Sequence, residues 1–102
     1  MSTERFIVDE KIADEFVARL TEKAKNLPLG DPRKGPVVLG SVVDMATVER
    51  CNAMIDDALA KGGKLLCGGK AENTLIPATL IDHVTPDMKI YSDESFGPVK
   101  GI

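Results

Sequence analysis

The sequence has few aromatic residues and no tryptophan: its three Phe and one Tyr make up 4% of 102 residues. Aromatic side chains usually contribute much of the buried area of a core. The core must therefore be built from Val, Leu, Ile, Ala and Met, within a hydrophobic content of 43%. A chain of this length fits one small domain, which buries roughly 60–70% of its unfolded surface.

Long apolar runs are also missing, and neither a signal peptide nor a lipidation motif occurs. The net charge of −3 and the pI of about 5.1 do not indicate a nucleic-acid surface. Cysteine is scarce, and the two thiols follow no metal spacing. We therefore predict a soluble, cytoplasmic protein with no membrane and no nucleic-acid partner.

Residues that carry chemistry are few. Neither the Gly-x-Gly-x-x-Gly fingerprint nor the P-loop occurs, so nothing in the sequence binds a pyrophosphate by itself. His83 is the single histidine, and we predict no metal site and a structural or surface role for it. Cys51 reads as an inert buried thiol and Cys67 as a more exposed one at a strand end, with no base paired to either. An acidic cluster at residues 9–15 fits a capped, solvated helix start better than a metal site.

The periodicity of apolar residues predicts an α/β fold with some parallel strand pairing. The loop at 28–36 is rich in Pro and Gly and is expected not to be helical. A turn is predicted at Thr85–Met88. The predicted helices are Asp9–Leu27 and Asp44–Lys61, and the predicted strands are Arg5–Val8, Lys64–Cys67, Leu75–Val84 and Val99–Ile102.

The stretch Tyr91–Val99 is the most distinctive part of the sequence. It combines two carboxylates, an aromatic ring and a Gly-Pro break, so it predicts a stiff loop. In an extended chain Glu94 and Phe96 would point the same way. A carboxylate can accept hydrogen bonds from a diol, and a ring offers a flat apolar face. The pair could hold a sugar and a heteroaromatic ring, or could be a structural Glu beside a buried Phe.

Three segments of the sequence resemble one family. The run Glu94-Ser95-Phe96-Gly97-Pro98-Val99 resembles the Glu-x-Phe-Gly-Pro-Val signature of the NAD(P)-dependent aldehyde dehydrogenases. Met1–Arg5 resembles the residues that directly follow the reactive cysteine of that family. Gly40–Val43 and Gly62–Gly69 match its middle segment in order and spacing. The resemblance covers all 102 residues, which correspond to about a fifth of a typical member.

This resemblance implies part of a catalytic domain, with residues 1–102 as a single domain containing an open sheet and two main helices. It implies cofactor-binding roles for two residues: Glu94 at hydroxyls of the nicotinamide-side ribose and Phe96 at the nicotinamide. A full-length parent would use NAD or NADP, act on an aldehyde and form a homo-oligomer. The run Asp82–Met88 resembles members that act on aromatic aldehydes such as salicylaldehyde or vanillin.

The same resemblance places the thiolate, the base, the oxyanion-binding asparagine and the dinucleotide-binding domain in sequence preceding Met1. We therefore predict no catalytic residue in this chain, no cofactor bound by the chain alone, and no activity of the chain alone. An alternative is a stand-alone α/β module that kept the fold for binding or assembly without catalysis.

Overall fold

The helix α2, Met45–Ala60, supplies one side of the hydrophobic core. It begins where Asp44 Oδ1 accepts hydrogen bonds from the backbone N–H and the hydroxyl of Thr47, both at 2.9 Å. The prediction of a helix over Asp44–Lys61 is confirmed, since its two outer residues are the caps. The buried side chains recur at helical spacing: Thr47, Val48, Cys51, Met54, Ile55 and Ala58.

The computed structural model describes residues 4–35, 37, 39–93 and 95–102. Within them α2 packs on a three-stranded sheet ordered β1-β2-β3. Strand β1 is Lys64–Cys67, β2 is Thr79–Asp82 and β3 is Val99–Gly101. The β1–β2 pairing is antiparallel and the β2–β3 pairing is parallel. The predicted α/β class, an open sheet with two main helices, is therefore confirmed.

The strand predicted over Leu75–Val84 is shorter than expected, because β2 begins only at Thr79 and ends at Asp82. Pro77 lacks an N–H for strand pairing. At the other end, His83 has a φ of 59°, which turns the chain out of the extended conformation.

The prediction of a strand over Arg5–Val8 is wrong. Within this run only Arg5 forms a β-bridge, which is parallel and joins it to Gly101 of β3. The Phe6 N–H donates to the Gly101 carbonyl at 2.8 Å. Because β3 ends at Gly101, Ile7 and Val8 have no strand partner there. Ile7 is 86% exposed, so this apolar run is not a buried strand.

The first helix, α1, spans Ala13–Lys25, four residues later than predicted at its start. Asp9 does not cap it; its Oδ1 accepts the Lys11 N–H at 2.8 Å in the preceding turn. All residues of α1 are described, and none is buried. Phe16 packs against Phe6 with ring centroids 5.9 Å apart. The apolar stripe of α1, which includes Phe16, Leu20 and Ala24, is therefore only partly covered.

A short helix, α3, spans Lys89–Ser92 and was not predicted. The Lys89 N–H donates to Asp57 Oδ2 of α2 at 2.7 Å, which satisfies a donor at the helix start. The predicted turn before it is confirmed, with the Met88 N–H donating to the Thr85 carbonyl at 3.1 Å.

The loop predicted at 28–36, which was expected not to be helical, contains one turn of 3-10 helix, Pro32–Lys34. The side chain of Asp31 starts this turn by accepting the Arg33 N–H at 2.9 Å. No helix in the described part of the chain has both the length and the apolar character needed to cross a bilayer.

Candidate functional site

The segment Ser95–Pro98 connects α3 to β3 and presents the ring of Phe96 to solvent. Phe96 is 68% exposed, and its φ of 55° places it in the left-handed region. The chain is therefore not extended at Phe96, and the expectation that Glu94 and Phe96 point the same way stays a prediction. Glu94 lies outside the described residues.

Ser95 anchors this segment, because it is fully buried and its polar atoms contact other parts of the chain. Its hydroxyl lies 3.1 Å from Glu4 Oε2 and 2.9 Å from the Gly97 carbonyl. Its N–H donates to the same Glu4 oxygen at 3.4 Å. Glu4 also forms an ion pair with Lys100 of β3, with Nζ and Oε2 3.4 Å apart.

The other side of the segment is held by α2. The Arg50 Nη2 and Nε atoms donate to the Ser95 carbonyl at 3.3 and 3.4 Å. The same guanidinium lies 5.2 Å from the centroid of the Phe96 ring, within range of a cation–π contact. The Cys51 thiol also approaches the Ser95 carbonyl, at 3.5 Å. An exposed ring on a segment held from two sides is suited to pack against a flat ring of a ligand.

A groove of about 680 Å³ lies beside Phe96, between α1 and the sheet. Leu20 and Ala24 of α1, together with Leu27 just after the helix, line one side of it. Thr79 and Leu80 of β2 contribute to the lining. The charged residues that line the groove are Glu4, Lys23 and Lys100. The groove is therefore mainly apolar, with charged groups of both signs.

Neither cysteine is arranged as a nucleophile. Cys51 is 0% exposed, and burial raises the pKa of its thiol above the ordinary value. Cys67 is 8% exposed, more than Cys51 as expected, but it is still buried. Its Sγ lies 3.5 Å from the carbonyl of Ala78, the residue before β2. A reactive thiol needs access and stabilisation of its thiolate, and burial opposes both.

The histidine lies outside the sheet. His83 is exposed and follows the end of β2, although the predicted strand Leu75–Val84 had included it. Among the described residues, no group of three or more His, Cys, Asp or Glu side chains is placed to hold a metal ion.

Glu4, Arg50 and Ser95 are the residues of this site that sequence reasoning missed. Glu4 and Ser95 are 91 positions apart in the chain, and Arg50 and Ser95 are 45 apart. No periodicity or local spacing joins residues so distant. The only available signal was that Ser95 stands between the two residues singled out for the site.

The chain is similar to proteins that oxidise aldehydes. A family model described as "Aldehyde dehydrogenase family" matches residues 1–102. The chain is 54% identical over 100 residues to a salicylaldehyde dehydrogenase of Pseudomonas putida, covering 97% of this chain and 21% of the relative. It is 52% identical over 99 residues to a vanillin dehydrogenase of Pseudomonas fluorescens, covering 97% of this chain and 20% of that protein.

Solved structures give the same result. The chain superposes with a TM-score of 0.94 on a salicylaldehyde dehydrogenase from Pseudomonas putida G7 complexed with salicylaldehyde, at 50% identity. That match covers 98% of this chain and 21% of the other. The TM-score is 0.90, at 36% identity, for an NADP-dependent glyceraldehyde-3-phosphate dehydrogenase from Bacillus halodurans C-125 complexed with NADP, covering 96% and 20%. This chain thus spans about a fifth of the length of these relatives, and it belongs to the aldehyde dehydrogenase family.

Proposed function

We propose that these 102 residues form a middle segment of the catalytic domain of an enzyme that oxidises an aldehyde to a carboxylic acid with NAD or NADP. The observation that carries the proposal is the exposed Phe96 ring on its anchored loop, within the family's signature. The family assignment supplies the reaction class.

In this proposal the chain contributes to cofactor binding. Phe96 packs against the nicotinamide ring, and its position next to the Arg50 guanidinium keeps the ring in place. Glu94 accepts hydrogen bonds from hydroxyls of the adjoining ribose, which a carboxylate does well because it offers only acceptors. When bound, the dinucleotide supplies the acceptor for the hydride that leaves the aldehyde carbon.

The nucleophile and the base are proposed to come from other parts of the family polypeptide. The burial of Cys51 and Cys67 supports this assignment, since neither thiol is accessible to an aldehyde. We therefore propose that a polypeptide of these 102 residues neither turns over aldehydes nor retains a dinucleotide.

The substrate class we propose is aromatic aldehydes. The support is the identity of 54% and 52% to relatives named for salicylaldehyde and vanillin. We place the protein in the cytoplasm, where a reducing environment suits the two free thiols.

We also propose that the chain forms homo-oligomers. The support is the apolar stripe of α1, which lines an open groove and contains no buried residue. An uncovered apolar surface of this kind favours association. The same observation favours the alternative of a stand-alone assembly module, which would use this surface without catalysis.

A chimaera distinguishes the two functions. In it this chain replaces the aligned stretch of the P. putida salicylaldehyde dehydrogenase, to which it is 54% identical. We expect the purified chimaera to oxidise salicylaldehyde and to form NADH, with turnover within roughly tenfold of the parent, a barrier difference of about 1.4 kcal/mol. A chimaera that folds, as judged by an unchanged melting temperature, but has no activity would contradict the proposed function and favour the assembly module.

A further inference from the structure

We propose that Glu4 and Ser95 are positioning residues that fix the orientation of the Phe96 ring. The positioning itself does not depend on the proposed function. Only its consequence, that the Phe96 ring contacts the cofactor, rests on that function. Its structural basis is the contact between the Glu4 carboxylate and the fully buried Ser95.

The burial of Ser95 makes this contact important. Its N–H and hydroxyl both lie within hydrogen-bonding distance of Glu4 Oε2, at 3.4 and 3.1 Å. A buried N–H that loses its acceptor cannot turn to water instead, so its desolvation remains uncompensated, whereas the hydroxyl would keep the Gly97 carbonyl at 2.9 Å. The Glu4 carboxylate therefore selects the loop conformation in which Ser95 stays inside and Phe96 turns outward.

Glu4 is itself held in place by the sheet. Lys100 of β3 approaches its carboxylate at 3.4 Å, and its backbone carbonyl accepts the Gly101 N–H at 3.4 Å. Two side-chain contacts, Lys100 with Glu4 and Glu4 with Ser95, thus connect the segment that carries Phe96 to β3. Phe96 needs this support because its φ of 55° is unfavourable for a residue other than glycine. The surrounding contacts must maintain such a conformation.

Fluorine NMR of this chain tests the positioning directly. Incorporating 4-fluorophenylalanine labels the three Phe residues, and the variants Phe96→Leu and Phe16→Leu assign the resonances of these two rings. We expect Ser95→Ala and Glu4→Gln each to move the Phe96 resonance towards its value in urea, while that of Phe16 stays unchanged. The matched controls are Ser41→Ala and Glu72→Gln, both at exposed positions. A Phe96 resonance unmoved in both variants would overturn the inference.

Kinetics of the chimaera test whether the orientation of the Phe96 ring affects dinucleotide binding. Ser95→Ala and Glu4→Gln are expected to raise KM for the dinucleotide roughly tenfold, the lower end of what a hydrogen bond to a charged group contributes. KM for salicylaldehyde and the melting temperature should match those of the control variants. Moved resonances with an unchanged dinucleotide KM would leave the positioning intact and overturn the proposed contact between Phe96 and the cofactor.

Discussion

Gly97 lies against Cys51 so closely that a Cβ added to the glycine would be 2.8 Å from the cysteine Sγ. The contact joins the segment that carries Phe96 to the buried face of α2, and it leaves no room for a side chain. It also explains in physical terms why a glycine and a small buried thiol face each other here.

Gly97→Ala is therefore expected to destabilise the chain by roughly 1–3 kcal/mol, the usual cost of overpacking a core. Urea unfolding measures this loss. The control is Gly30→Ala, whose Cβ would meet only Val37 Cγ1 at an ordinary 3.4 Å. Combining Gly97→Ala with Cys51→Ala should cost less than the sum of the single changes, because the second removes the obstructing sulfur. Additive costs would show that the clash is absent.

The Asp44 cap gives α2 an acid-sensitive start. Hydrogen bonds from the Thr47 backbone and then its side chain lower the pKa of Asp44 below the ordinary 3.8. The folded chain therefore binds this proton less readily than the unfolded chain does. The stabilisation is present above the unfolded pKa and is lost as the pH falls through the lower folded pKa.

Asp44→Asn tests this pH dependence, because asparagine also caps a helix but does not titrate. We expect the difference in free energy of unfolding between wild type and variant to be constant at neutral pH and to shrink below the ordinary pKa of 3.8. Chemical unfolding at a series of pH values measures it. A difference that stays the same throughout the acid range would contradict the role of the charge.

The sequence predicts α2 well because its signals are local. Asp44 caps the start, and Gly62 and Gly63 follow the end, so residues adjacent to the helix mark both of its boundaries. The α3 helix was missed because its first N–H is satisfied by Asp57, 32 residues earlier. Local patterns cannot show such a partner.

The remaining errors also concern contacts between distant segments. The apolar run Arg5–Val8 has the composition of a strand, but a strand also needs a neighbour, and β3 accompanies it only at Arg5. The role of Phe96 stays a prediction from the sequence, and the sequence could not show the contact between the neighbouring Ser95 and Glu4. Periodicity places a residue on a face; it does not reveal what covers that face.

The proposed cofactor contacts predict that changes at Glu94 and Phe96 affect dinucleotide binding more than folding. In the chimaera, Glu94→Gln weakens charge-assisted hydrogen bonds worth roughly 1.5–3 kcal/mol each. Phe96→Leu removes a ring that is 68% exposed, so little core packing is lost. Both variants should raise the dissociation constant for NAD, measured by calorimetry, while Glu72→Gln should not. Unchanged affinity and an unchanged hydride-transfer rate would exclude these roles.

A polypeptide of these 102 residues is expected to form no NADH or NADPH from aliphatic or aromatic aldehydes, since both thiols are buried and a buried thiol is a poor nucleophile. The assay follows cofactor reduction after purification through several columns. Turnover that persisted and disappeared in Cys67→Ser would identify Cys67 as a nucleophile and contradict the prediction. Cys51→Ser serves as the matched thiol control.

The groove beside α1 is expected to make the chain self-associate. Leu20 lies on the lining, on a helix without any buried residue, so its apolar surface gains by being covered. Sedimentation velocity at micromolar concentration should show a dimer or larger species. Leu20→Glu places a charge in the groove and should shift the distribution towards monomer, whereas Ala18→Glu, at an exposed position of the same helix, should not. A compact monomeric wild-type chain would show that this apolar surface is stable in water without a partner.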